Sequence, residues 1–326
     1  MLPDRFNRLH NYLRISLTDN CNFRCFYCMP EEEYRFLPSS RLMQVNEIEA
    51  LSRIFVSLGV NKIRLTGGEP LVRKDVGEII TSLSKLAVSL TLTTNGTRLD
   101  EYLPILADAG VKSLNISLDT LDRERFNLLT KRNQFQKVWD NIHAAIENGI
   151  HVKVNVVVMK GINDKEINDF VEWTKHTPVH VRFIEFMPFT GNHWSNEKLV
   201  TLKNILASIE SRYSVIKLKD ELNDTTKKFM VPNHLGTFAV ISTMSQPFCS
   251  TCNRIRLTAD GKIKNCLFSK EEEDLLTSFR EGKDVEGIIR RTIWNKAYSH
   301  GGQFENNFLD LDADNIENRS MIGIGG

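Results

Sequence analysis

Six cysteines fall into two sets of three. Cys21, Cys25 and Cys28 lie within NCNFRCFYCMP, residues 20–30; Cys249, Cys252 and Cys266 form the second set, and no thiol is left over. A structural zinc site wants four ligands, normally Cys or His, so two such sites would each need a fourth ligand from elsewhere in the fold. None of the eight histidines stands at a matching short spacing. His176 and His180 are four apart, but Pro178 lies between them, and they read as loop residues. Disulfides are disfavoured in a reducing compartment. The third option is iron–sulfur chemistry, where a cluster is normally held by four thiolates. Three thiolates leave one iron without a protein ligand. By the logic of catalytic metals, that open position can take a small molecule.

Such thiols need a frame. Short strand patterns recur at residues 13–18 (LRISLT), 62–66 (KIRLT), 90–94 (LTLTT), 113–119 (SLNISLD), 151–158 (HVKVNVVV) and 181–187 (VRFIEFM). Helical faces lie between most of them: Ile48, Leu51, Ile54, Phe55 and Leu58; Val76, Ile79, Ile80, Leu83 and Leu86; Val138, Ile142 and Ile146. Alternating β and α units imply a parallel sheet with right-handed crossovers. Six units predict an α/β fold, an open partial (β/α)6 TIM-like barrel over residues 1–214. The first thiol set follows the first strand directly, at the C-terminal mouth, where such barrels carry their chemistry. From about residue 215 the pattern changes to short strands at 214–219 and 236–243 and a hairpin over 255–266 turned at Asp260-Gly261. A helix capped by Ser269 and Glu272 and another near 285–297 follow. Residues 215–326 therefore read as a smaller α+β module.

Strands covered on both faces should be nearly continuously apolar, but these alternate. Leu13, Ile15 and Leu17 interleave with Arg14, Ser16 and Thr18, and Val152 and Val154 with Lys153 and Asn155. The apolar set must face the helices. The polar set then faces a lumen that is too costly to leave dry and unpaired. Parity sends Arg14, Arg64 and Lys153 inward, and Arg254 and Arg256 share one face of a strand beside the second thiol set. Guanidinium forks suit phosphate oxygens. The alternative is an antiparallel sheet with one wet face, which the intervening helices disfavour.

The 326 residues, 41% hydrophobic and 25% charged, describe an ordinary globular chain. A net charge of +1 argues against a nucleic-acid-coating protein. No apolar run approaches membrane-spanning length and the N-terminus lacks a signal-peptide h-region, so the expectation is a cytosolic protein without a membrane partner. Neither a GxxxxGK[ST] loop nor a GxGxxG after a strand is present. The acidic runs 31–33 and 271–274 read as solvated faces.

The motif CNFRCFYC resembles the CxxxCxxC signature of the radical S-adenosylmethionine superfamily, and TGGEP at 66–70 resembles its second motif. More of the chain (LRISLTDNCNFRCFYC, IRLTGGEPL, TTNG at 93–96, NISLD at 115–119, VKVNVVVMKGIN, RFIEFM, CSTCNRIR at 249–256, Cys266 and the terminal Gly325-Gly326) resembles one family, the GTP 3',8-cyclases of molybdenum cofactor biosynthesis. Asn20 stands where that family often has Arg, and the residues before the final glycines differ from its usual run.

The resemblance implies two [4Fe-4S] clusters, each with three Cys ligands. The first would bind S-adenosylmethionine, the cosubstrate, and yield a 5'-deoxyadenosyl radical. That radical abstracts the ribose 3' hydrogen of GTP, and C3' attacks guanine C8 to give 3',8-cyclo-7,8-dihydro-GTP. The second cluster would hold the guanine. Carried over residue by residue, Tyr27, Gly68, Ser117 and Met187 contact S-adenosylmethionine, and Arg14, Arg64, Thr93, Lys153, Arg254 and Arg256 contact GTP. The Gly325-Gly326 tail, having no side chains, could thread into a narrow site near the substrate. Partners so implied are an external one-electron donor, a second copy in a homodimer, and a downstream cyclic pyranopterin monophosphate synthase. Two rivals remain. A peptide-modifying relative would carry more cysteines in its C-terminal module, and a zinc-ribbon interaction module leaves the lumen arginines unexplained.

Overall fold

The computed structural model describes residues 1–29, 34–304, 311 and 313–325. Six β/α units lead the chain. Strand β1 (Tyr12–Ser16) precedes the first thiol loop and α1 (Val45–Ser57), and β2 (Lys62–Thr66) precedes α2 (Val76–Ser84). Strand β3 (Ser89–Thr94) leads to α3 (Leu99–Asp108), and β4 (Ser113–Ser117) to α4 (Arg123–Thr130) and α5 (Phe135–Glu147). Strand β5 (His151–Val158) leads to α6 (Ile167–Trp173), and β6 (His180–Glu185) to α7 (Leu202–Glu210). The six strands pair in parallel and in sequence order, so the antiparallel alternative fails. The expected open barrel is present.

The apolar parity packs under the helices. Leu13, Ile15, Ile63, Leu114, Ile116, Val152 and Val154 are fully buried in one continuous core. Each such side chain stabilises the fold by about 1.5–3 kcal/mol. Helix α1 begins with a capping box: the Gln44 side chain accepts from the N3 backbone, and the Glu47 carboxylate accepts from the Gln44 amide. Helix α3 carries Pro104 in its interior, which removes one backbone donor while Leu99 and Leu106 keep its face buried.

The remaining elements are β7 (Ile216–Lys217), β8 (Lys227–Met230), β9 (Thr237–Ile241), β10 (Arg254–Leu257), β11 (Lys262–Lys264), β12 (Glu273–Asp274), α8 (Leu275–Arg280), α9 (Val285–Trp294) and α10 (Met321–Ile324). The strands among them join the barrel sheet, in the order β12-β11-β10-β1-β2-β3-β4-β5-β6-β9-β8-β7. Strand β10 lies parallel on β1, and β9 parallel on β6, so residues after 214 build both edges of the barrel. The hairpin at Asp260-Gly261 forms as expected, with Gly261 at φ +71°. The strand expected at 214–219 shrinks to two residues.

Three local expectations are corrected. The helix expected to be capped by Ser269 and Glu272 instead starts at Leu275, with the Asp274 carboxylate accepting from the Thr277 amide at 2.9 Å. Glu272 is occupied elsewhere, 3.2 Å from Lys264 Nζ and 2.5 Å from Arg319 Nη2, so this part of the acidic run is an ion-pair cluster rather than a solvated face. His180 opens β6, is buried, and lies 2.7 Å from the Thr237 hydroxyl through Nδ1; it is not a loop residue. The run at 31–33 lies outside the described residues. Among the described residues, no helix is long and apolar enough to cross a membrane.

The parallel pairing of β1 with β10 has a geometric consequence. Cys21 follows the C-terminal end of β1, whereas Cys252 precedes the N-terminal end of β10, and Cys266 returns to that same end through antiparallel β11. The two thiol sets therefore sit at opposite ends of the lumen. A strand of five residues, such as β1, spans about 16 Å at roughly 3.3 Å per residue.

Candidate active site

At the C-terminal mouth, the segment after β1 is laced to the turn after β2. The Leu17 amide donates to the Thr66 carbonyl at 2.9 Å, the Gly68 amide to Thr18 at 2.7 Å, and the Glu69 amide to Asn20 at 2.8 Å. The approach is too close for side chains. A Cβ on Gly67 would stand 2.6 Å from the Thr18 carbonyl oxygen, and one on Gly68 would stand 2.5 Å from that of Asn20. The thiol loop is also tied to α4, where the Arg24 amide donates to Thr130 at 2.9 Å. The Cys28 and Met29 amides both donate to the Cys25 carbonyl at 2.9 Å, closing a turn between the second and third thiols.

These ties converge on a cavity of about 180 Å³ lined by Cys21, Cys25 and Cys28. Tyr27, Gly68, Ser117 and Met187, the expected S-adenosylmethionine contacts, line the same cavity, and so does Thr93. Burial pushes the Cys21 thiol up to about 11, with Glu69 adding to the effect. Cys25 is raised well above the usual thiol range by burial and then by Cys28. Burial followed by Cys21 raises Cys28 too. Three neutral thiols that depress one another's ionisation form a site that an electropositive cluster would convert to thiolates.

Three further residues complete this end. Glu69, fully buried, accepts from the Leu71 amide at 3.0 Å, the Thr94 hydroxyl at 2.7 Å and the Asn95 amide at 2.6 Å. Burial outweighs these donors and lifts its carboxyl to about 7. Asn95 Nδ2 reaches Cys21 Sγ at 3.9 Å and Asn22 Oδ1 at 2.8 Å. The Tyr27 hydroxyl donates to Asp119 Oδ2 at 2.5 Å, and Asp119 Oδ1 accepts from the Val157 amide at 2.8 Å. All three lie inside motifs visible in the sequence (TGGEP, TTNG, NISLD), but nothing in those motifs alone separates a ligand contact from a brace.

The lumen continues from this cavity, sharing Asn155, Ile184, Met187 and Met321 with it, into a space of about 780 Å³. Register places Arg14 directly between Arg64 on one side and Arg256 on the other. Lys153 and Arg182 face them from β5 and β6, and Arg254 stands one pleat away from Arg256. Arg64 Nε donates to the Tyr12 hydroxyl, and Arg64 Nη1 to the Thr93 hydroxyl at 3.2 Å. Arg182 Nη2 donates to Asn155 Oδ1 at 2.5 Å. The cations press on one another. Burial and then Arg182 hold the Lys153 ammonium at about 8. Arg182 is brought to about 9 by burial and then Arg64, and Arg256 to about 10 by burial and then Arg254. Tyr12 responds oppositely: burial raises it, but Arg64, Arg14 and Lys62 outweigh that and bring the phenol down to about 7. Tyr12 and Arg182 were not read from the sequence as site residues, although both carry lumen parity.

Gly325 reaches this lumen. Its carbonyl accepts from Arg256 Nη1 at 2.6 Å. Its φ is +82°, and a Cβ there would stand 2.5 Å from Thr66 Oγ1 and 2.9 Å from Ser16 Cβ. Gly326 lies outside the described residues.

At the far end Cys249, Cys252 and Cys266 line the same space. Burial raises Cys249. Burial also raises Cys252, but Arg254 and Lys296 outweigh it and bring the thiol to about 5. Arg254 Nη2 lies 3.4 Å from Cys252 Sγ. Among the described residues no three Cys, His, Asp or Glu side chains are gathered tightly enough to grip a single ion. Two sets of three mutually sensing thiols fit a multi-iron cluster, which brings its own sulfides and can take three protein ligands.

An open parallel barrel with a three-thiol loop after its first strand, seated on a Gly-Gly-Glu-Pro turn after its second, defines a radical S-adenosylmethionine enzyme. The radical SAM superfamily pattern matches residues 15–174, and the Molybdenum Cofactor Synthesis C pattern matches residues 179–302. The chain belongs to the GTP 3',8-cyclase family. It is 47% identical to the mitochondrial GTP 3',8-cyclase of Arabidopsis thaliana, over 100% of this chain and 84% of that one. It is 40% identical to the GTP 3',8-cyclase of Listeria welshimeri, covering 92% of each chain. It also matches molybdenum cofactor biosynthesis protein 1 of Homo sapiens at 44% identity, spanning only 50% of that longer protein. Among solved structures, Streptococcus suis SuiB bound to S-adenosylmethionine aligns with a TM-score of 0.62 at 16% identity, over 96% of this chain and 73% of that one. The enzyme anSMEcpe with bound AdoMet aligns with a TM-score of 0.61 at 14% identity, over 92% and 81%. Both share the fold.

Proposed function

We propose that the chain converts GTP to 3',8-cyclo-7,8-dihydro-GTP, the first step of molybdenum cofactor biosynthesis. Cys21, Cys25 and Cys28 would hold one [4Fe-4S] cluster, and Cys249, Cys252 and Cys266 a second. When bound, the first cluster supplies the electron that cleaves S-adenosylmethionine into methionine and a 5'-deoxyadenosyl radical. Gly67 and Gly68 let the backbone approach that cosubstrate. Tyr27, held by Asp119, and Ser117 and Met187 wall it in. Arg14, Arg64, Lys153, Arg182 and Arg256 bind the triphosphate as forks and point charges, with Thr93 beside Arg64. Arg254 and the second thiol set take the guanine end.

The observation that carries this reading is the row Arg64–Arg14–Arg256, which crosses three adjacent strands at one level of the lumen, between the ends that carry the two thiol sets. Buried like charges in one row are costly alone and are relieved by a polyanion. Exclusion of water by the lumen walls protects the radical on its way to the ribose. An external one-electron donor, a homodimer and hand-over to a cyclic pyranopterin monophosphate synthase belong to the same reading.

The test is anaerobic incubation of the reconstituted enzyme with GTP, S-adenosylmethionine and dithionite. A product isomeric with GTP, together with 5'-deoxyadenosine, is expected. Release of 5'-deoxyadenosine with GTP chemically untouched overturns the substrate assignment.

A further inference from the structure

The N-terminal residues pack behind the second thiol set. Asp4 is fully buried, with Oδ1 accepting from the Phe6 and Arg8 amides at 2.9 and 3.0 Å and Oδ2 from Arg8 Nε at 2.5 Å. The rest of the Arg8 guanidinium donates to three carbonyls: Cys249 at 2.8 Å, Tyr298 at 2.7 Å and Ala297 at 2.8 Å. Beside it Lys296 is only 2% exposed. Its Nζ lies 3.3 Å from Cys252 Sγ, 3.0 Å from the Arg254 carbonyl and 3.0 Å from His10 Nε2.

The proton positions follow from the geometry. His10 Nδ1 is 3.2 Å from the Leu2 carbonyl, a contact that requires Nδ1 to carry the proton. Nε2 then has a lone pair free to accept from the ammonium. The three N–H groups of Lys296 thus meet three acceptors: a sulfur, an oxygen and a nitrogen. Lysine is almost never fully buried unless paired, and only the sulfur among these acceptors can carry a formal negative charge. Among the described residues the first thiol set has no lysine so placed: Cys21 Sγ takes neutral donors, the Phe23 amide at 3.4 Å and Asn95 Nδ2 at 3.9 Å.

We propose that Lys296 is a positioning residue of the second iron–sulfur site, donating a charge-assisted N–H···S bond to Cys252 while the His10 and Asp4–Arg8 brace holds its ammonium there. This rests on the reading that Cys249, Cys252 and Cys266 hold a cluster. Hydrogen bonds to ligand sulfur stabilise the reduced, more negative state, and partners outside the ligand shell support metal affinity. Lys296 therefore raises the reduction potential of this cluster and slows its loss.

The test uses full-length, anaerobically reconstituted protein carrying Cys21→Ser, Cys25→Ser and Cys28→Ser, so that only the second cluster gives a paramagnetic signal. Redox titration followed by electron paramagnetic resonance compares Lys296 with Met, Arg and Gln at that position. Lys296→Met should disfavour reduction about tenfold, a shift of about 59 mV to lower potential for a one-electron couple. It should also weaken iron retention against a chelator by roughly tenfold or more. Lys296→Arg, which keeps the charge, should retain most of both. An unchanged potential in Lys296→Met overturns the proposal. If that variant does not fold, Lys296→Gln, which keeps a neutral donor, decides by the same criterion. A second site that binds no iron with Lys296 intact overturns the two-cluster reading as well, which separates the two failures.

Discussion

Replacing Arg256 by Met separates a binding role from a structural one. The side chain is buried and stands beside Arg14 in the β10–β1 register. A cation and a phosphate oxygen about 4 Å apart attract by roughly 4 kcal/mol at an effective dielectric of 20. Net of lost hydration, a hydrogen bond to a charged group is worth about 1.5–3 kcal/mol. At about 1.4 kcal/mol per tenfold, the substitution should weaken GTP binding by roughly 12- to 140-fold. The free protein should respond differently. Burial, then Arg254, disfavour the Arg256 charge, so its removal relieves a cost. Against that stands one lost charge-assisted hydrogen bond to the Gly325 carbonyl, about 1.5–3 kcal/mol. The melting temperature of the free variant should match or exceed that of the parent, while the upward shift produced by GTP largely disappears. Anaerobic calorimetry gives the dissociation constant, and a thermal melt gives the stability. Arg256→Lys, which keeps the charge and loses the fork, should fall between. A lower melting temperature with an unchanged dissociation constant would make Arg256 a structural residue and remove it from the pocket.

The pH dependence carries a sign. Lys153 is held at about 8 in the free protein, against 10.5 for an ordinary lysine. Between those values the unfolded chain binds more protons, so stability from this group rises with pH across that window. GTP favours the charged ammonium, so affinity should fall by up to about tenfold per unit above pH 8. Isothermal titration from pH 7 to 9.5 should show this slope in a Tyr12→Phe background, where the phenol near 7 no longer titrates, and Lys153→Met should remove the part of it that sets in near pH 8. Cys25→Ser should abolish S-adenosylmethionine cleavage. Cys252→Ser should impair cyclisation while some 5'-deoxyadenosine formation survives; equal loss in both would contradict the division of labour. Gly325→Val adds a side chain at φ +82° where Thr66 Oγ1 would stand 2.5 Å from its Cβ. Strain of about 1–3 kcal/mol should expel the tail, lowering cyclisation with little change in melting temperature.

Strand parity made much of this legible. Period-two alternation sorts Leu13 from Arg14 and Val152 from Lys153, and the structure buries one set under helices and turns the other inward. The same signal would have found Tyr12 and Arg182. Tyr12, an aromatic at the start of a strand, is equally compatible with packing, and the apolar neighbours of Arg182 in VRFIEFM weaken the alternation there. Long-range pairings were harder. Nothing local in the sequence says that Glu272 belongs to Lys264 and Arg319 rather than to a helix cap. Nor does a short spacing reveal Lys296 against Cys252, 44 positions away.

The sharing of β1 between two neighbours explains how one lumen can carry two sets of thiols. Strand β2 binds one edge of β1 and brings the Gly67-Gly68 turn up to the first thiol loop. Strand β10 binds the other edge in the same direction, so the thiols before it must lie at the opposite end. Any ligand that touches both sites must then run alongside β1, past Arg14. The side chains there are cations brought together from β1, β2, β5, β6 and β10, and their mutual repulsion is largest when the lumen holds no anion. A nucleoside triphosphate supplies both what the cations lack and the length that the strand sets. The sheet order thus does more than hold the site together. It sets the two groups of thiols at opposite ends of one cation-lined lumen.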